Sequence, residues 1–271
     1  MTAPRIALFA LTGFGNTVLP ALCDAGLKPE LLITRAEPGS FPYYDEEPLT
    51  VVAERLGVPY SFGVEGEQRV AANPPDIVLC ATYHRLLRAP FLQSVRWAIN
   101  LHPSLLPRYR GPNPFYWVIR NQEKLTGVTA HMMTETADAG PILRREIIEI
   151  SATETQGGLR RRLAILAARL AVDTLRDLQS GVATPTPQNE ADTTAFDRPG
   201  TADLTLDSTW GMDEAERAIR ALSPFPGLIT DAGVVLEIVR REPLSEKSAL
   251  QESGLCRLRL RDGDLIVRLQ A

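Results

Sequence analysis

Cysteine is scarce in this chain: Cys23, Cys80 and Cys256 are odd in number, widely spaced and include no Cys-x-x-Cys pair. That excludes a disulfide framework and reads as buried thiols in a reducing compartment. Histidine is as rare. His84, His102 and His131 are the only three, and none has a partner at the spacing that lets two rings on a helix share a metal, so no metal is expected. His84 and His131 read as core or rim residues. No apolar run reaches the length of a membrane span, and the opening MTAPRIALFAL reads as a first β-strand in place of a signal peptide. A cytoplasmic protein without a membrane partner is the expectation. A basic excess is missing as well: 29 Lys plus Arg face 33 Asp plus Glu, a formal net charge of −4, which disfavours a nucleic-acid partner. The dinucleotide fingerprint is incomplete, since Gly13-Phe14-Gly15 is followed by Val18 where its third glycine belongs. The glycines read as a tight turn beside a substrate.

What is present is a core-forming chain of 271 residues, 44% hydrophobic and 23% charged. Short apolar strands at 5–11, 31–34, 76–81 and 98–101 alternate with helices at 18–25, 49–56 and 89–94. That alternation predicts an α/β fold with a doubly wound, Rossmann-like parallel sheet. A helix at 114–122, strands at 127–133 and 142–150, and a long helix at 159–178 ended by Gly181 complete a domain over 1–183. Arg160-Arg161-Arg162 reads as a solvated face of that helix. Residues 184–200, rich in Pro, Thr, Asp and Asn, read as a linker. From 201 to 271 a helix at 215–222, strands at 234–239, 255–260 and 265–269, and the hairpin signal Asp262-Gly263 predict a small, mainly β unit.

The chemistry concentrates in Asn100-Leu101-His102-Pro103-Ser104-Leu105-Leu106-Pro107-Arg108-Tyr109-Arg110-Gly111. Residues two apart on a strand point to the same side, so an amide and an imidazole share one cleft at the carboxyl end of a strand. A second segment, Thr134-Glu135-Thr136-Ala137-Asp138-Ala139-Gly140, offers a carboxylate beside small residues. A carboxylate fixes an imidazole and raises its pKa, and the ring and the amide can then donate to a developing oxyanion. No Ser or Cys has an obvious base, so acyl transfer directly to an external nucleophile fits. The residue types alone leave an equal alternative, in which Asn100 caps the strand and His102 packs.

The pattern Asn-x-His-x-Ser-Leu-Leu-Pro-x-Tyr-Arg-Gly, with Asp-Ala-Gly 36 residues after the His, resembles the formyltransferases that use 10-formyltetrahydrofolate. These include methionyl-tRNA, glycinamide ribonucleotide and sugar N-formyltransferases. The resemblance runs from the first strand to about residue 150. It continues weakly through Trp210, Ala218-Ile219-Arg220-Ala221 and Pro224-Phe225-Pro226-Gly227. It implies that Asn100 and His102 bind the formyl oxygen and stabilise the tetrahedral intermediate, that His102 also moves a proton, and that Asp138 holds the charged His102 and helps deprotonate the amine. It implies folate contacts at Arg85, Leu86 and Leu87, at Ser104, Leu105, Leu106 and Pro107, and at Thr134, Glu135, Thr136 and Ala137. Candidate substrate contacts are Thr12, Gly13, Tyr43, Tyr44 and Tyr109. Pro112-Asn113-Pro114 departs from the arabinose-type relatives, which carry a basic and a small residue there.

Which amine is formylated is an electrostatic question. A tRNA substrate calls for Lys and Arg to neutralise phosphate. The loop 36–48 has four acids and no base, and from Gly200 onward 9 Lys plus Arg meet 12 Asp plus Glu, a net of −3. A small-molecule amine is therefore expected, either an amino sugar nucleotide resting on Tyr43 or Tyr44, or an ornithine-type amine drawn to Asp45, Glu46 and Glu47. Methionyl-tRNA is the alternative acceptor. A non-catalytic folate- or partner-binding module is the alternative of another class, against which the presence of Asn100, His102 and Asp138 together speaks. A homodimer contact is one role open to the C-terminal unit.

Overall fold

The computed structural model describes residues 4–36, 46–207, 209–243 and 254–270. The chain divides into two compact units: 1–111 with 125–149 and 160–196, and 112–124 with 150–159 and 197–271. Tyr43, Tyr44 and Asp45 lie outside the described residues.

The first unit is built on a seven-stranded sheet of β1 (Ile6–Ala10), β2 (Leu31–Thr34), β3 (Tyr60–Phe62), β4 (Ile77–Ala81), β5 (Trp97–His102), β6 (Leu125–Met132) and β7 (Ile142–Glu149), in the order β3-β2-β1-β4-β5-β6-β7. The first five in that order run parallel, while β6 and β7 are antiparallel to their neighbours. The expected Rossmann-like fold is present, with an antiparallel edge added to the parallel sheet. Helices α1 (Phe14–Asp24), α2 (Leu49–Arg55), α3 (Gly63–Ala72) and α4 (Ala89–Gln93) follow the parallel strands. Every residue of β1 and β4 is buried, as strands covered on both faces require. One core layer joins Phe9, Ile33, Val70, Val78 and Ala98, and Tyr83, Leu87 and Met133 pack on its rim. Burying side chains of this size is worth about 1.5–3 kcal/mol each.

Not legible in the sequence were β3, α3, a 3-10 turn at Glu190–Asp192 and, in the second unit, the one-turn helix α7 (Thr201–Leu204) and β8 (Leu228–Thr230). Both strands are three residues long, too short for an alternation to register. In α3 only Gly66 and Val70 are buried, so no apolar stripe marks it. Helix α1 begins four residues before the expected Val18 because Asn16 Oδ1 accepts the Gly13 N–H at 3.0 Å and closes the first turn. The long helix α6 (Gln156–Ser180) buries Leu163, Leu170 and Leu175, and its Ala164 carbonyl accepts from the Thr17 hydroxyl of α1 at 2.8 Å.

The second unit carries α5 (Pro114–Arg120), α7 (Thr201–Leu204) and α8 (Met212–Leu222) beside a four-stranded antiparallel sheet of β8, β9 (Gly233–Glu242), β10 (Leu255–Leu260) and β11 (Gly263–Leu269), ordered β10-β11-β9-β8. Helix α8 buries Ala215, Ala218, Ile219 and Leu222 and leaves Asp213 and Glu214 in its first turn, where they complement the helix dipole. The Asp262-Gly263 hairpin has a second use: Asp262 Oδ1 accepts the Met212 N–H at 2.8 Å and so caps α8. Buried Glu242 and Asp264 share the Arg257 guanidinium through one oxygen each, and Arg240 and Arg259 pair with the other oxygens.

Candidate active site

Strand β5 delivers Asn100 and His102 to the carboxyl end of the parallel sheet, and β6 lies antiparallel beside it with His131 paired opposite Asn100. Asp138 follows β6 on a turn whose φ of 55° is left-handed, a conformation Asp tolerates better than most residues. Three nitrogens converge on one oxygen of Asp138. Asn100 Nδ2 lies 3.4 Å from Oδ1, His102 Nδ1 3.4 Å and His131 Nε2 3.6 Å. The other oxygen, Oδ2, accepts the Gly111 N–H at 2.9 Å. Asn100, His102 and Asp138, expected from the sequence to meet, do meet.

The hydrogen bonds assign the proton on each ring. His102 Nε2 is 2.8 Å from the Tyr109 carbonyl, which can only accept, so Nε2 carries the hydrogen. The nitrogen free to take up and release a proton is therefore Nδ1, the one facing Asp138. By the same reasoning His131 Nδ1 donates to the Met132 carbonyl at 2.8 Å, and its Nε2 accepts from Asn100 Nδ2 at 3.2 Å. That contact fixes which way the Asn100 amide points.

The environment separates the protonation states. Burial pushes His102 below its ordinary value, against the opposing pull of Asp138 and the Tyr109 carbonyl. Burial also acts to raise Asp138, but the charged form of the His102 ring, the nearby His131 ring and the Gly111 N–H outweigh it and hold the carboxyl well below the usual carboxylate range. The result is an ionised carboxylate beside an imidazole able to accept a proton.

Close backbone approach makes this geometry possible at Gly140, where an added Cβ would sit 1.9 Å from the Met132 carbonyl oxygen, the acceptor of the His131 proton. Gly140→Ala is expected to cost about 1–3 kcal/mol in urea unfolding. A change below 0.5 kcal/mol would mean that the turn accommodates the methyl group.

The remaining candidates fall into three groups. Leu86, 80% exposed, and Arg85 lie on the 82–88 loop after β4, with Leu87 half-buried against the core and Arg85 paired to Glu67 at 2.7 Å. Thr134, Glu135, Thr136 and Ala137 form an exposed loop just before Asp138. Other side chains point inward. Ser104 is buried and donates to the Arg108 carbonyl at 2.8 Å, which shapes the loop that carries the Tyr109 carbonyl. Leu106 is fully buried, whereas Leu105 and Pro107 are half-buried. Thr12 is buried with its hydroxyl accepting the Leu49 N–H at 3.0 Å, Gly13 turns the chain with a φ of 99°, and the Tyr109 ring stacks on Phe196 at 5.1 Å. Glu47, expected to attract a cationic substrate, is already paired with Arg55 at 2.6 Å.

The sequence reading missed His131 and Gln188. His131 reads as a packing residue because strand register, which pairs it with Asn100, is not visible in one sequence. Gln188 lies in the segment read as a linker. Its Nε2 donates to the carbonyls of Asp138 at 2.7 Å and Gly140 at 2.8 Å.

The Formyl transferase family pattern matches residues 50–175. A methionyl-tRNA formyltransferase of Halorhodospira halophila is 34% identical over 232 residues, 83% of this chain and 75% of that protein. The methionyl-tRNA formyltransferase of Aromatoleum aromaticum is 31% identical over 250 residues, 89% of this chain and 79% of that protein. Among solved structures, the N-formyltransferase of Helicobacter canadensis, in complex with folinic acid and dTDP-3-aminofucose, matches in fold with a TM-score of 0.75 at 16% identity, covering 99% of this chain and 100% of that one.

Proposed function

The chain belongs to the formyl transferase family, and from that membership we propose that it moves the formyl group of 10-formyltetrahydrofolate to the primary amine of a small molecule. The observation that carries this reading is the convergence of Asn100, His102 and His131 on Asp138 at the carboxyl end of β5. The groups suit a formyl oxygen: the Asn100 amide N–H is engaged with the carboxylate at no better than 3.4 Å, and His102 Nδ1, at the same distance, becomes a second donor once it is protonated. An exposed leucine on the 82–88 loop and the open 134–137 loop offer apolar and backbone surface for a pterin.

When bound, the folate supplies an electrophilic formyl carbon attached to a nitrogen leaving group. Asn100 donates to the oxygen on which charge develops, with His131 holding its amide in that orientation. His102 Nδ1 takes the proton released by the attacking amine and returns it to the departing nitrogen, and Asp138 stabilises the imidazolium in between. Residues 1–183 constitute the catalytic domain in this reading and 201–271 an accessory domain.

A small amine is supported by the net charge of −3 beyond Gly200 and by the fold match to an amino-sugar formyltransferase over the whole chain. Methionyl-tRNA is a second reading, favoured by the 34% and 31% identical relatives. A tetrahydrofolate-release assay separates them, with amino sugar nucleotides, ornithine, hydroxyornithine and methionyl-tRNA as acceptors. Turnover with one small amine is expected. Turnover with methionyl-tRNA alone would reverse the assignment.

His131→Leu tests the orienting contact. Losing the acceptor frees the Asn100 amide, and kcat is expected to fall roughly tenfold or more, short of the ~10²–10³ for deleting an oxyanion donor outright. KM for the folate stays near the wild-type value. A kcat within twofold of wild type would show that Asn100 needs no such support.

A further inference from the structure

We propose that Gln188 is a positioning residue for formyl transfer, clamping the Asp138 turn to the loop after β5; the inference rests on the functional reading above. The segment that contains it is anchored within the first unit by two bridges, Ile142 to Thr186 and Arg110 to Ala195. Within 184–190 every residue except Gln188 is exposed. Its amide nitrogen spends both hydrogens on the carbonyls of Asp138 and Gly140, at 2.7 and 2.8 Å. Its amide oxygen accepts from Arg110 Nη2 at 2.7 Å and from Nε at 3.2 Å. All four hydrogen-bonding positions of one side chain are thereby filled. Arg110 is itself buried, and its guanidinium forks onto Glu190 at 2.7 and 3.0 Å.

The two ends of this amide serve the two loops that make the site. Arg110 immediately precedes Gly111, whose N–H holds Asp138 Oδ2 at 2.9 Å. Asp138 is therefore gripped twice, at its carboxylate from the β5 loop and at its carbonyl from Gln188. Arg110 ties the second grip to the first. Asp138 holds a left-handed φ of 55°, a sparsely populated backbone region, and Gln188 supplies two bonds that keep the turn there. A displacement of about 1 Å in a catalytic group can cost on the order of a hundredfold in rate.

Two variants test the clamp, and the second isolates its donor end. Gln188→Met keeps the volume and removes every bond. Gln188→Glu keeps an acceptor for Arg110 but turns an oxygen toward two carbonyls. Both are expected to lower kcat by roughly tenfold to a hundredfold, with KM for folate and amine within about threefold and the thermal midpoint little moved. In Gln188→Met the ionisation of His102, whose titratable neighbours are Asp138 and His131, shifts to lower pH in the kcat profile, because the Asp138 charge that raises it has moved away. A Met variant within threefold of wild-type kcat would overturn the inference. So would a Glu variant at the wild-type rate, or a loss confined to KM with the pH limb unmoved. A wild-type chain that turns over no amine brings down the formyl-transfer reading, and this inference with it.

Discussion

His102→Ala is expected to lower kcat by about 10³-fold while folate binding changes only a few-fold. In the proposed mechanism the ring does two jobs: its Nδ1 shuttles the proton, and its charged form faces the developing oxyanion. General acid–base catalysis contributes about 10²–10⁴, and loss of an oxyanion donor about 10²–10³. The ring is buried, and its Nε2–H is fixed on the Tyr109 carbonyl at 2.8 Å, so the substitution also opens a small cavity and leaves that carbonyl to the Ser104 hydroxyl at 3.3 Å. His102→Gln, which keeps most of the volume, separates the two effects. It should recover stability in urea unfolding and none of the rate. A His102→Ala protein that retained a tenth of the wild-type kcat would remove this residue from the chemistry.

Asp138→Asn is the second large effect. The substitution is isosteric and keeps an oxygen for the Gly111 N–H, but it removes the charge that balances an imidazolium. A kcat loss of roughly 10²–10⁴ is expected. The substitution also has a signature in stability. Asp138 is depressed in the folded chain, so its contribution is present above its unfolded value of about 3.9 and is lost as pH falls through the lower native value. His102 is depressed too, which means that the unfolded chain binds the extra proton. Its contribution is complete above about pH 6.5 and is lost on acidification through its lower native value. Wild type should therefore lose stability in two stages on acidification. Asp138→Asn should abolish the lower stage, so that its unfolding free energy converges on wild type at the most acid pH. A wild-type advantage that stayed constant from neutral pH to pH 2 would mean the carboxyl is not depressed.

The relation of the site to the sequence is uneven, and the reasons are physical. Asn100 and His102 are two apart on a strand, and a period of two is a local property of the backbone. The clustering of apolar residues in β1 and β4, the stripe of α6 and the Asp262-Gly263 turn are local in the same sense, and all were legible. His131 and Gln188 are not local. His131 matters because register sets it opposite Asn100 across two antiparallel strands, and Gln188 because a segment of linker-like composition returns to touch a turn 48 to 50 residues earlier. Composition marked that segment as solvated, and most of it is. One half-buried amide within it escapes any average.

By itself the sequence determined the fold class, the alternation of strands and helices, the placement of an amide and an imidazole on one side of β5, and the family. Each of these follows from periodicity or from motif residues close together in the chain. Tertiary structure alone decided which nitrogen of His102 titrates, what orients Asn100, and what holds Asp138. Those outcomes depend on an acceptor-only carbonyl at Tyr109, a paired strand and a returning segment. Hydrogen-bond direction is set by what lies opposite in space, and spatial opposition is the information a linear order of residues does not carry.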